Sequence, residues 1–162
     1  MLSYIKQKSE TINFGFAIVS GLFLFGIAVL TSIDVLMGFI FKKPITGAIE
    51  MIVLTIPWVV SLGLAFGLIK GAHVRVTIFY VQFPKDYRFG LDLFAHAIGF
   101  CFFSLMTYGA WLHFWSSWVI REPMFAALMT LPWWLGKLSL PIGMFLMAIQ
   151  HLLELLTTLR GD

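Results

Sequence analysis

Ionisable side chains inside long apolar runs are where chemistry in this chain would have to reside. Asp34 and Glu50 lie inside apolar segments on either side of a basic turn, Lys42-Lys43-Pro44. A carboxylate pair in such segments could hold a proton or a cation, or reach another subunit. Both acids sit near the edge of their segment, so neutralising Lys42 or Lys43, or touching a subunit, fits better than an ion site. Glu50 also gains from the positive end of the helix it opens. Four histidines raise a second chemistry. His96 and His151 fall at similar depth on different apolar segments, a placement from which two imidazoles of a four-helix bundle could ligate one haem iron. The plainer reading is contact with interfacial water or a hydrogen bond between helices. His113 has no histidine opposite it. No nucleophile–base pair, phosphate-cradling glycine loop or metal-spaced Cys/His cluster is present, which argues against a hydrolase or an ATPase. Cys101, the lone cysteine, reads as packing.

The elements that must position these groups are transmembrane. Charged residues are 12% of the 162, against 60% apolar with 17 Phe and 6 Trp. Ordinary soluble domains carry about 25% charged residues. Met51 to Ile69 runs without a charge, long enough for a helix to cross a hydrocarbon core of about 30 Å. Backbone groups in lipid must pair internally, so the apolar runs are helices. The expected fold is an all-α membrane protein, one domain with four transmembrane helices at about 14–41, 45–69, 89–120 and 131–156. Residues 1–13 form a polar, basic lead-in, retained because no small-residue cleavage site follows. Pro44 suits the start of the second helix, where a missing N–H costs little. Residues 70–88 mix Lys70, Arg75, Lys85 and Arg88 with apolar residues, and read as lying in the interface among lipid headgroups.

Gly63-Leu-Ala-Phe-Gly67 is a GxxxG, which marks a helix-packing face. Trp111, Trp115, Trp118, Trp133 and Trp134 gather about the third connection as an aromatic belt. Seven Lys and Arg fall on the side of the termini and of 70–88, against Lys42, Lys43, Arg121 and Lys137 on the other. The positive-inside rule therefore puts both termini in the cytoplasm. The net charge of +3 sits between apolar runs, which suits membrane lipids as partners and not nucleic acid.

The order DVLMGFIFKKPITGAIE, then SLGLAFGLIKGAHVRV, resembles the small membrane subunit (Q-type) of tripartite ATP-independent periplasmic, or TRAP, transporters. Asp34, Pro44, Glu50, Leu62-Gly63, His73, Arg75 and Val76 match the family's ordered pattern, as does the late Pro141-Ile-Gly143. Two positions depart from it: Gly38 where many members carry Arg, and Thr77 where many carry Asp. The resemblance implies a bacterial inner-membrane protein that is not an enzyme and carries no cofactor. It would scaffold a large multi-helix membrane subunit, with sodium-driven uptake of an organic acid (sialic acid or a C4-dicarboxylate) delivered by a periplasmic binding protein. On that reading Asp34, Pro44, Glu50, Gly63 and Gly67 support the partner interface or the hairpin behind it, and His73 and Arg75 fix the interfacial segment. The alternatives are a haem-bearing membrane anchor of a quinone-linked oxidoreductase and a free-standing small transporter.

Overall fold

The computed structural model describes residues 2–69, 85–124 and 131–160. Four helices account for nearly all of them: α1 (Leu2–Phe41), α2 (Ala48–Ile69), α3 (Lys85–Val119) and α4 (Trp133–Arg160). Each contains a stretch long and apolar enough to span a membrane. The expected interfacial segment 70–88 lies mostly outside the described residues, and its last four residues already belong to α3.

Helix ends differ from the sequence reading for local reasons. The polar lead-in is helical, so α1 runs 40 residues from Leu2. Ser9 and Asn13 dock it onto α4, and the Thr11 hydroxyl bonds back to the Gln7 carbonyl at 3.0 Å. Thr31 and Ser32 do the same toward Ile27 and Ala28. A hydroxyl in lipid finds its acceptor in its own helix. Pro44 does not open α2. Lys42 takes a left-handed φ of 55° after α1, and Gly47, at φ 85°, turns the chain into a helix that begins at Ala48. The first α2 bond runs from the Met51 N–H to the Gly47 carbonyl, 3.0 Å.

The helices do not form a closed bundle. α4 packs against α3 on one side and α2 on the other, α2 packs against α1, and α1 meets α4 only slightly. The result is an open row in the order α1–α2–α4–α3. Small residues set its centre. A Cβ on Gly143 would lie 2.5 Å from the Ser61 Cβ and 2.6 Å from its carbonyl, and one on Gly136 would lie 3.3 Å from Leu54 Cδ1. Leu54 and Ser61 are seven residues apart, as are Gly136 and Gly143, so one seam repeats after two turns. Outside it the row is apolar on its surface: Leu22, Phe25 and Phe39 are 65%, 70% and 77% exposed.

Candidate functional site

Three of the candidate residues, Asp34, Pro44 and Glu50, lie at or near the α1–α2 turn. The Asp34 carboxylate, two turns before the end of α1, accepts a 2.7 Å hydrogen bond from the Ile45 N–H. That bond holds the turn back against α1 and satisfies an amide that neither helix uses. Asp34 is thus a backbone clamp within the hairpin, a partner outside the two that the sequence suggests, the neighbouring lysines or another subunit. Lys42 instead lies over the Phe39 ring, 5.7 Å from its centroid. Pro44 packs across Gly38, with its Cβ 3.9 Å from where a glycine Cβ would be. Glu50 is the third residue of α2 and faces the positive end of that helix.

Gly63 and Gly67 belong to a different place. Gly63 is 13 residues beyond Glu50, about 20 Å along the helix, and faces α1. A Cβ there would meet Ser20 Oγ at 3.4 Å. The same hydroxyl donates to the Val59 carbonyl at 2.7 Å, and Phe14 meets Phe66 at 5.6 Å nearby. A Cβ on Gly67 would meet nothing within 4 Å among the described residues. The GxxxG is therefore half internal and half open, and it is not the α2–α4 seam. His73 and Arg75, with Thr77, lie outside the described residues.

Histidines 96 and 151 do meet across α3 and α4. Their Nδ1 atoms are 3.3 Å apart, and the His151 ring stacks on Phe103 at 5.3 Å and 16°. Gly99 makes this possible, since a Cβ there would fall 2.5 Å from the His151 ring. Imidazoles in direct hydrogen-bonding contact leave no room for a macrocycle between them. The open row also lacks the bundle interior that a haem would occupy, so these two residues do not fit a haem.

Several polar groups escaped the sequence reading. Asn13 and Gln150, both fully buried, form a polar layer between α1 and α4 with Ser9, and Gln150 donates to Glu154 at 3.1 Å. An amide in a transmembrane run was the available signal. At the opposite end Lys137 donates to Glu122 at 2.6 Å and to Ser117 at 2.8 Å. The Lys137 bond, with help from Ser117, holds the Glu122 carboxyl below the usual glutamate value. Ser117 and Glu122 are also joined through the backbone. The Glu122 N–H reaches the Ser117 carbonyl (3.0 Å) and the Arg121 N–H reaches Trp118 (3.2 Å), with Arg121 left-handed at φ 51°. This six-to-one and five-to-two pairing closes α3 as a Schellman cap. Arg121 covers Trp118 at 4.5 Å and Trp134 at 6.0 Å, and those two indoles meet edge to face at 4.4 Å. The aromatic belt is thus also the α3–α4 lock.

What the arrangement can do is hold helices together. An open groove of about 490 Å³ between α3 and α4, lined by Ser104, Thr107, Tyr108, Pro141 and Phe145, is almost wholly apolar. No charged or histidine residue lies between Glu10 and Asp34, Glu50 and Ile69, His96 and His113, or Lys137 and His151. The helix middles therefore present no carboxylate, basic or histidine side chain to a solute. A family model described as tripartite ATP-independent periplasmic transporters, DctQ component, matches residues 27–161. No curated protein matches the chain.

Proposed function

The chain belongs to the DctQ family, the small membrane component of tripartite ATP-independent periplasmic transporters, and we propose that it serves there as scaffold and not as carrier. The large multi-helix membrane subunit lies along the row, and a periplasmic binding protein delivers an organic acid such as sialic acid or a C4-dicarboxylate. A sodium gradient drives uptake through the large subunit. The complex sits in the bacterial inner membrane, with both termini of this chain cytoplasmic.

One observation carries the reading: four apolar helices stand in an open row whose middles hold no charged or histidine side chain. A carrier needs a midplane site between two moving halves. A scaffold needs lateral apolar surface and rigid seams, and the row supplies both. Gly67, open among the described residues, fits a close helix–helix approach by the partner.

The test is a mild-detergent pull-down of the tagged chain co-expressed with its genomic neighbours, followed by uptake in liposomes. A stoichiometric large polytopic partner, with sodium-dependent uptake only when all components are present, is the expected result. Recovery of the chain alone, or transport by it alone, would overturn the reading. Gly67→Leu separates partner packing from folding. It should weaken the complex and leave the isolated chain's unfolding temperature unchanged, whereas Gly63→Leu disturbs the α1–α2 hairpin itself.

A further inference from the structure

The contact that rules out a haem has the dimensions of a smaller ligand. His96 and His151 approach Nδ1 to Nδ1 at 3.3 Å, from two helices, with His96 only 8% exposed. Phe103 fixes the plane of the His151 ring, and Gly99 clears the space for it. Two imidazole nitrogens bound to one tetrahedral zinc at about 2.0–2.1 Å each are separated by roughly 3.3–3.4 Å. The observed spacing is that bite.

We infer that His96 and His151 form a metal clamp, taking Zn²⁺ or a similar borderline divalent ion between their Nδ1 atoms and tying α3 to α4. The clamp lies at the membrane edge opposite the Glu122–Lys137 link, so the hairpin is fastened at both ends. Carboxylates flank it. Asp92 precedes His96 by four residues on α3, and Glu154 follows His151 by three on α4, so each shares a helix face with its histidine. Because α3 and α4 run antiparallel, both acids fall on the same side of the imidazoles, toward the nearby helix ends. As the side chains stand, no three His, Cys, Asp or Glu among the described residues are placed to hold an ion together. The two nitrogens are the primary ligands. The coordination completes with water or by rotation of Glu154 away from the Gln150 amide that now holds it at 3.1 Å. The chemistry balances without a redox partner. In the unligated pair one Nδ1–H donates to the other Nδ1. On binding, the donor ring carries its hydrogen on Nε2, both rings stay neutral, and each Nδ1 lone pair goes to the ion. Imidazole with carboxylate selects the zinc, copper and nickel group over magnesium or calcium.

The clamp is independent of the transporter reading, and its test needs neither transport nor a partner. The full chain, purified through a histidine-free tag, is titrated with Zn²⁺ by calorimetry and with Co²⁺ by its ligand-field absorption. One ion per chain is expected, with a rise in unfolding temperature. Binding is lost in His96→Gln and in His151→Gln, and unchanged in His113→Gln and His73→Gln. Glu154→Gln weakens it by roughly ten- to a hundredfold, the range typical of supporting groups. Because the histidine variants can also lose folding, X-ray absorption of the zinc-loaded native chain gives a second reading, with two imidazole shells expected. Absence of binding, binding that persists in the double variant, or a spectrum without two imidazoles each overturns the proposal.

Discussion

Asp34 shows how one carboxylate can hold a turn through the backbone alone. Its partner is a backbone N–H, so its value lies in acceptor geometry and charge, not in the lysines beside it. A hydrogen bond to a charged acceptor contributes about 1.5–3 kcal/mol, and the half-exposed setting places Asp34 at the low end. Asp34→Ala should therefore destabilise the chain by about 1.5 kcal/mol, and Asp34→Asn by less because an acceptor remains. Lys42→Gln and Lys43→Gln should leave the unfolding temperature where it was. Thermal unfolding in one detergent compares all four, and a larger loss from the lysines would restore the charge-pairing view. Glu122 gives the pH counterpart. Its pKa is lowered in the folded chain, chiefly by the Lys137 hydrogen bond. Its contribution is then complete above the ordinary glutamate value and fades as pH falls through the folded value. Acid should loosen the α3–α4 lock through this residue, and Glu122→Gln should flatten that part of the stability–pH curve. An unchanged acid limb in the variant would assign the loss to other carboxylates.

Among elements, the α2–α4 seam is where a single atom matters most. Gly143 faces the Cα and carbonyl of Ser61 as well as its Cβ, and backbone cannot swing aside as a side-chain tip can. Gly143→Ala should cost about 1–3 kcal/mol as overpacking, measured by thermal unfolding, whereas Gly67→Ala should be close to neutral. Equal effects would mean that the seam is plastic. The contrast also marks how far the sequence was legible. Four helices and their approximate spans follow from the lengths of the apolar runs, because lipid leaves the backbone no other way to pair. The seam was hidden. GxxxG was the visible motif, yet its second glycine is open, while the working pairs, Leu54–Gly136 and Ser61–Gly143, sit seven apart on two helices and spell no motif. α1 starts earlier than its apolar run for a related reason: residues 2–13 look like a polar tail until Gln150, more than a hundred residues away, gives Ser9 and Asn13 an acceptor to dock on. The His96–His151 depth match was legible, but only Gly99 and the crossing of α3 with α4 turn it into contact.

At the scale of the whole molecule, helix order in the row could not be read from patterning, because helices that are apolar all round carry no stripe to say which face is inside. Crossing parity, in contrast, is fixed once four helices span. The α1–α2 turn and the α3–α4 turn must share one membrane surface, and the two termini the other. Charge then chooses between two otherwise equal orientations, with four Lys and Arg at the turns against seven elsewhere. In a Cys101→Ser background, Lys43→Cys and Ile120→Cys should react with an impermeant maleimide added outside spheroplasts. Lys8→Cys and Leu159→Cys should react only after the membrane is opened. All four positions are exposed, so a silent site reports its side of the membrane and not burial. Labelling of the two turns on opposite sides would mean that one helix does not cross. Both turns labelling from within would invert the chain, and would put the surface formed by Lys42, Lys43, Arg121 and Glu122 out of reach of a periplasmic partner. The scaffold reading needs those turns outside, on the surface a periplasmic partner can reach.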